Sequence, residues 1–232
     1  MLESIVALPG DEIEIRRKEG KELVIGPGLR KDNQNTIVSM KCGLLKKKEN
    51  FFWLESHQKR YVPSRNEYVI GIAVTKSAET IKIDIGSSEY ASLSFLAFEN
   101  ATKRNKPNVE IGDLLYCRVL TGNKDMEPEL VCIDAAGKAS GLGVLKDGFM
   151  FKINLELARR LLSGSNQFLR ELSKNIPPFE ITIGMNGRIW IKTSSCKQTI
   201  FLFQAINQYS NVSESDTENF IKNLLKDYSD WE

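Results

Sequence analysis

The stretch FEITIGMNGRIWI, residues 179–191, decides how the C-terminal part of the chain folds. On both sides of Gly184-Met185-Asn186-Gly187, isoleucines alternate with polar or aromatic residues, which is the pattern of half-buried strands. Asn186-Gly187 between two such runs predicts a hairpin with a type I′ turn, in which both central residues have a positive φ. We therefore interpret Gly184, Asn186 and Gly187 as a structural motif at a strand turn.

A Gly-x-x-Gly tetrapeptide with a basic neighbour is also used by KH domains, where it joins two helices and clamps an RNA backbone. The predicted elements around the hairpin follow the order of such a domain: a strand, two helices, two strands and a helix, with one further helix. The loop between the first two helices, residues 163–166, has one glycine and no cation. Residues 146–232 are thus predicted to form a KH-type α+β domain that packs against neighbours.

Residues 64–145 predict a barrel. Five runs of alternating apolar and polar residues follow one another, and a long polar connection separates the third run from the fourth. This arrangement matches a five-stranded OB-fold barrel.

Residues 1–63 contain short strand-like runs separated by turn residues, which predicts a small β domain. The charged residues 46–49 are interpreted as a turn within it, and Pro63-Ser64 marks the boundary with the barrel. The fold class is therefore multidomain α+β: an N-terminal small β domain, a central OB-fold barrel and a C-terminal KH-type domain.

The composition indicates the cellular environment of the chain but does not identify its binding partners. The 32 basic and 30 acidic residues leave a net charge of +2, so any affinity for nucleic acid must come from local clusters. The four cysteines form no C-x-x-C pair, which disfavours a zinc site and indicates a reducing compartment. The N-terminus has no secretory signal, and no stretch reaches a membrane-spanning length. We expect an intracellular, soluble protein without a membrane partner.

Catalytic chemistry has little support in the sequence. His57 is the single histidine and lies in a polar stretch typical of a solvated loop, and no nucleophile, phosphate-loop or dinucleotide motif is present. Asp125, Glu127 and Glu129 supply carboxylates, but they lie beside Pro128 in a polar hairpin, which favours a solvated turn over a magnesium site. We predict no enzyme activity, no metal and no cofactor.

The most informative basic cluster is Lys103-Arg104-Asn105-Lys106, in the long connection of the barrel. Loops at the mouth of an OB barrel bind oligonucleotides, and cations there neutralise phosphates without reading sequence. Lys103, Arg104 and Lys106 are therefore the predicted RNA-binding residues. The clusters at residues 16–18 and 46–48 lack such a position and are interpreted as solvated turns.

Several segments together resemble the corresponding sequences of the ribosomal RNA-processing protein 40 family, whose members are cap subunits of the RNA exosome. The segments are RYVP (60–63), EYVIG (67–71), ASLSFLAF (91–98), ATKRNKP (101–107) and GMNGRIW (184–190). The resemblance spans nearly the whole chain, and the predicted domain order is also that of the family, whose KH glycine motif is Gly-x-Asn-Gly.

The resemblance implies a non-catalytic subunit that binds RNA and guides it into a ring for 3′-to-5′ processing and degradation. The implied partners are RNase PH-like ring subunits, other cap subunits and an associated 3′-to-5′ exonuclease, in the nucleus and nucleolus and also in the cytoplasm. The family's RNA-facing loop falls on Lys103, Arg104 and Lys106. Two alternatives stay open at this point: the sister cap subunit, and a free-standing RNA-binding protein of ribosome assembly or translation.

Overall fold

The structure is a computed structural model that describes residues 5–13, 23–32, 36–56, 58–123, 125–163, 166–212 and 216–229. The chain divides into two compact units, Met1–Gln58 and Lys59–Glu232. The basic cluster at residues 16–18, His57 and the centre of the 163–166 loop lie outside the described residues.

The described residues of the first unit form two small sheets. One has the strand order β1-β6-β7-β3, from β1 (Ile5–Ala7), β3 (Val24–Ile25), β6 (Gly43–Lys48) and β7 (Phe51–Glu55). The other has the order β2-β5-β4, from β2 (Glu12–Ile13), β4 (Leu29–Lys31) and β5 (Ile37–Ser39). The interpretation of residues 46–49 as a turn is wrong for the three lysines, which belong to β6. The chain reverses at Glu49, which has a φ of 55°.

The second unit begins with the predicted barrel, and its five-stranded OB architecture is confirmed. The strands are β8 (Tyr68–Lys76), β9 (Thr80–Asp84), β10 (Ala91–Phe98), β11 (Leu114–Asn123) and β12 (Met126–Cys132). They pair in the order β12-β10-β9-β8-β11, and a further pairing of β11 with β12 closes the barrel. A short strand, β13 (Gly143–Leu145), adds to β11.

Inward-facing apolar side chains fill the barrel, and two features explain its tight packing. A Cβ at Gly71 would lie 2.1 Å from Cγ2 of Ile83, so only glycine allows β8 and β9 to approach as they do. Cys117 and Cys132 are buried on neighbouring strands, with their Sγ atoms 3.4 Å apart. Their hydrogen bond and burial raise the pKa of the Cys117 thiol, which keeps it protonated.

The two ends of the barrel carry different loops. β10 and β12 run parallel, whereas β8, β9 and β10 are antiparallel to their sequence neighbours. Consequently one end of the barrel carries three segments: the β8–β9 turn, the β10–β11 connection and the segment after β12. The β9–β10 loop and the start of β8 lie at the other end.

The rest of the second unit has the predicted KH order. Its strands are β14 (Phe149–Lys152), β15 (Glu180–Ile183) and β16 (Arg188–Lys192), arranged as an antiparallel sheet in the order β14-β16-β15. Its helices are α1 (Leu155–Leu162), α2 (Gln167–Asn175), α3 (Cys196–Tyr209) and α4 (Thr217–Ser229). The helices share an apolar core with one face of the sheet. Within it, the rings of Phe168 and Tyr209 stack with centroids 4.1 Å apart.

Candidate nucleic-acid interface

The predicted RNA-binding cluster lies in the β10–β11 connection, and its tip is a tight turn. The N–H of Thr102 donates to the carbonyl of Asn105 over 3.0 Å, and the N–H of Asn105 donates to Oγ1 of Thr102 over 3.0 Å. Lys103 and Arg104 stand between these residues and are exposed. The turn holds their backbone in place while their side chains face solvent.

Lys106 has different surroundings from the two cations at the tip. Its ammonium donates to the carbonyl of Ala78, in the β8–β9 turn, over 2.5 Å. It also lies 5.4 Å from the ring centroid of Phe95, which is almost fully buried. Lys106 therefore ties the β10–β11 connection, which we call the basic loop, to the β8–β9 turn.

A second lysine strengthens the same attachment. The ammonium of Lys76 lies 5.6 Å from the Phe95 ring and donates to the carbonyl of Val109 over 2.9 Å. Val109 itself is buried in the barrel core. The Phe95 ring thus contacts two lysines that anchor the loop, an arrangement that the sequence reasoning missed because the three residues are far apart in the chain.

The candidate acidic site does not assemble. Glu127 forms an ion pair with Lys82, and Glu129 accepts a hydrogen bond from the hydroxyl of Thr121 over 3.2 Å. Asp125 is exposed. In the described part of the chain, no group of three or more His, Cys, Asp or Glu side chains is placed to hold a metal ion.

None of the described helices is both long and apolar enough to cross a membrane.

The Gly-Met-Asn-Gly stretch joins β15 to β16, but its turn is not the predicted type I′. Gly187 has a φ of +73°, whereas Asn186 is not among the residues with positive φ. The N–H of Gly187 donates to the carbonyl of Gly184 over 3.0 Å, and the N–H of Gly184 donates to the carbonyl of Arg188 over 2.8 Å. These bonds define a three-residue loop that ends in a left-handed glycine.

The hairpin packs on the barrel at the end opposite the basic loop. The side-chain amide of Asn186 donates to the carbonyls of Ile70 (2.8 Å) and Ile85 (2.9 Å) and accepts the N–H of Ile70 (3.3 Å). The N–H of Met185 donates to the carbonyl of Tyr68 over 2.8 Å. One asparagine therefore bonds to backbone groups of β8 and of the residue that directly follows β9.

Both glycines of the hairpin are required by close approaches. A Cβ at Gly184 would lie 2.3 Å from Oδ1 of Asn186 and 2.8 Å from the nitrogen of Ile70. A Cβ at Gly187 would lie 2.6 Å from the carbonyl oxygen of Ile153, in addition to the strain of a positive φ. A larger residue at either position would separate the hairpin from its surroundings.

Arg188 adds a charged contact that sequence reasoning did not assign. Its side chain is only 2% exposed, and its guanidinium donates to the carbonyl of Asp84 (2.5 Å) and to Oδ2 of Asp84 (2.7 Å). Burial alone would raise the pKa of Asp84, but hydrogen bonds from the N–H of Gly86 and from Arg188 hold that pKa below its usual value. The basic neighbour of the glycine motif thus faces a carboxylate of the barrel.

Apolar contacts complete the junction between the barrel and the KH domain. Leu155, the first residue of α1, belongs to the barrel core cluster, and Met185 packs against the same cluster. The hairpin and the start of α1 are therefore both bound to the barrel, so the two domains form one compact unit.

Comparisons with known proteins agree on the class of protein. Family models match residues 23–60 (Exosome complex exonuclease Rrp40 N-terminal domain), 61–143 (Exosome complex component RRP40, S1 domain) and 148–197 (KH domain). The chain is 46% identical over 211 residues to exosome complex component RRP40 of Mus musculus, covering 88% of this chain and 76% of the relative. It is 40% identical over 250 residues to the Homo sapiens protein of that name, covering 95% and 90%.

A solved structure shares the fold. It is the crystal structure of a protein assigned as an exosome complex RNA-binding protein, superposed with a TM-score of 0.61 at 23% identity. The match covers 75% of this chain and 99% of that one.

Proposed function

The chain belongs to the exosome complex component RRP40 family, and from that premise we propose that it is a non-catalytic cap subunit that binds RNA. In this role it guides single-stranded RNA into the channel of a ring for 3′-to-5′ processing and degradation, and stabilises the ring. The proposed partners are RNase PH-like ring subunits, other cap subunits and an associated 3′-to-5′ exonuclease. The proposed compartments are the nucleus and nucleolus, and also the cytoplasm.

The observation that carries the proposal is the pair of free cations at the tip of an anchored loop. In the described ranges, the side chains of Lys103 and Arg104 have neither an ion pair nor a hydrogen bond. Their backbone is fixed by the Thr102–Asn105 turn, so binding a phosphate does not require ordering the loop. Exposed cations on a fixed loop at the mouth of an OB barrel suit the backbone of single-stranded RNA.

The three predicted RNA-binding residues take different parts in this proposal. Lys103 and Arg104 contact phosphates. Lys106 acts mainly through position, because its ammonium is already bound to the carbonyl of Ala78 and lies over Phe95. The Gly-Met-Asn-Gly hairpin contributes by fixing the KH domain on the barrel, since its backbone and Asn186 are bonded to protein groups.

The test is RNA binding by the full chain, with charge removal at the loop tip. The double variant Lys103→Gln/Arg104→Gln is compared with Lys197→Gln/Lys222→Gln, which removes two exposed cations from the KH domain. The probe is fluorescent oligouridine of about 20 nucleotides, longer than the roughly 4–16 nucleotides that one OB fold covers.

Each lost phosphate contact reduces the slope of log K against log salt by about 0.7 for single strands. The loop-tip variant should therefore lose about 1.4 in slope, which corresponds to about 25-fold weaker binding at 0.1 M salt relative to a 1 M reference. The control pair should change neither quantity. Equal behaviour of the two double variants would refute the loop-tip assignment.

The non-catalytic role and the assembly have their own tests. Purified chain with magnesium should leave end-labelled RNA at full length. Shortening that an Asp125→Asn or Glu127→Gln variant abolishes would refute the role. In extracts, the chain should elute in size-exclusion chromatography together with ring subunits, whereas elution as a lone chain would favour a free-standing RNA-binding protein.

A further inference from the structure

The segment after β12 forms a compact loop at the same end of the barrel as the basic loop. The N–H of Asp134 donates to the carbonyl of Lys138 over 2.8 Å, which closes the loop. The Asp134 carboxylate accepts the N–H groups of Ala136 (2.8 Å) and Lys138 (2.9 Å) and the hydroxyl of Ser140 (2.6 Å). One side chain therefore organises residues 134–140, which we call the Asp134 loop.

The Asp134 loop is joined directly to the base of the basic loop. Oε2 of Glu99 accepts the N–H of Ala139 over 2.8 Å. Glu99 immediately follows β10 and stands four residues before Lys103, while Ala139 is next to Lys138. A single hydrogen bond thus fixes the position of one loop relative to the other.

Lys138 is the exposed cation of the Asp134 loop. Its backbone is held by Asp134 on both sides, through its carbonyl and its N–H, while its side chain is exposed. Within the described ranges, its ammonium has no acidic partner. It shares these properties with Lys103 and Arg104: a fixed backbone, a free charge and the same end of the barrel.

Three acidic side chains at this end of the barrel, those of Asp134, Glu99 and Asp113, accept hydrogen bonds from the loops. Asp134 accepts three hydrogen bonds, and those from Ser140 and from the N–H of Lys138 hold its pKa below the usual value. Glu99 accepts the N–H of Ala139, and Asp113 accepts the N–H of Glu110 over 2.8 Å. Bound carboxylates of this kind repel an approaching phosphate less than free ones, because N–H dipoles offset part of their charge.

We propose that the Asp134 loop is a second part of the RNA-binding edge, with Lys138 as a phosphate contact and Glu99 as the residue that positions it. The proposal rests on the proposed function, because it extends the same edge from the tip of the basic loop to the segment after β12. An RNA strand that crosses this end of the barrel meets Lys103 and Arg104 on one loop and Lys138 on the other. The expected ligand is the sugar-phosphate backbone of single-stranded RNA, bound without base preference.

The first test removes the Lys138 charge from the full chain. Lys138→Gln should weaken binding of the oligouridine probe about 5-fold at 0.1 M salt and reduce the salt slope by about 0.7, the values expected for one phosphate contact. Lys222→Gln, which removes an exposed cation from α4, is the control and should leave both values unchanged.

The second test separates the positioning role of Glu99 from its charge. Glu99→Gln and Glu99→Ala both remove the negative charge, but only glutamine retains an oxygen that accepts the Ala139 N–H. Glu99→Ala should bind RNA more weakly than Glu99→Gln. In a Lys138→Gln background this difference should vanish, because the positioned cation is then absent.

The outcomes distinguish the two proposals. If Lys103→Gln/Arg104→Gln weakens binding and Lys138→Gln does not, the Asp134 loop is not part of the RNA edge, and the proposed function stands. If neither variant changes the affinity or the salt slope, both assignments are refuted. Loss of binding in Lys138→Gln with an unchanged salt slope would also refute the phosphate contact, since the effect would then be non-electrostatic.

Discussion

Replacing Asn186 by alanine should destabilise the junction between the barrel and the KH domain. The variant loses three hydrogen bonds: two to the carbonyls of Ile70 and Ile85 and one from the N–H of Ile70. Each contributes about 1 kcal/mol net, so the expected loss in the free energy of unfolding is about 3 kcal/mol. The backbone groups that lose a partner belong to Ile70 and Ile85 of the barrel, both fully buried, so water does not readily replace the amide.

The assay is thermal unfolding of the full chain, measured by calorimetry. For a unit as large as Lys59–Glu232, each kcal/mol lowers Tm by roughly 2–4 °C, so the variant should melt about 6–12 °C lower. Asn223→Ala is the matched control, because Asn223 is exposed on α4. Protease cleavage between β13 and β14 should also become faster in the variant. A Tm shift equal to that of the control would refute the reasoning that these bonds hold the domains together.

Two other changes at the junction give different signatures. Gly187→Ala places a Cβ 2.6 Å from the carbonyl of Ile153 at a φ of +73°, so it should lower the urea midpoint by an amount equivalent to at least about 1–2 kcal/mol, with an unchanged salt slope for RNA binding. Lost RNA binding at retained stability would instead identify the hairpin as a clamp. The pKa of Asp84 is lower in the folded chain than in the unfolded chain, so its ion pair with Arg188 stabilises the fold above about pH 4, the unfolded pKa. This stabilisation is lost as the pH falls through the folded pKa. The urea midpoints of wild type and Asp84→Asn should therefore converge below about pH 4, and a constant difference down to pH 2 would contradict this.

Local pattern was sufficient to place the hairpin, but not to predict its contacts. Period-two alternation located β15 and β16, whereas the type I′ prediction was wrong because the turn has one residue more and needs only one positive φ, at Gly187. The partners of Asn186 are backbone groups, which any residue supplies, so no sequence signal identifies Ile70 or Ile85. Arg188 was unassigned for a related reason: a charged residue in an alternating strand indicates a solvated face unless a carboxylate is known to lie opposite.

The basic loop shows the same limit. The cluster of cations was visible in the sequence, and so was its place in the long connection of an OB barrel. The sequence did not show how Lys106 differs from Lys103 and Arg104. That difference depends on Ala78 and Phe95, which come close to Lys106 only when β8, β9 and β10 pair. Tertiary contacts therefore determine which charges of a basic cluster remain available for a phosphate.

The Gly-Met-Asn-Gly hairpin illustrates how one set of glycines can serve either RNA or protein. A glycine-rich clamp works because close approach leaves backbone N–H groups free for phosphate oxygens. Here the N–H groups of Gly184, Met185 and Gly187 all donate to protein carbonyls, one of them on the barrel, and the close approach allowed by the glycines is to the barrel and to the start of α1. These three donors are therefore already bonded to protein. Because this junction and the basic loop lie at opposite ends of the barrel, changes in the hairpin should act on RNA only through the orientation of the KH domain, whereas changes at Lys103 or Arg104 should act on RNA directly.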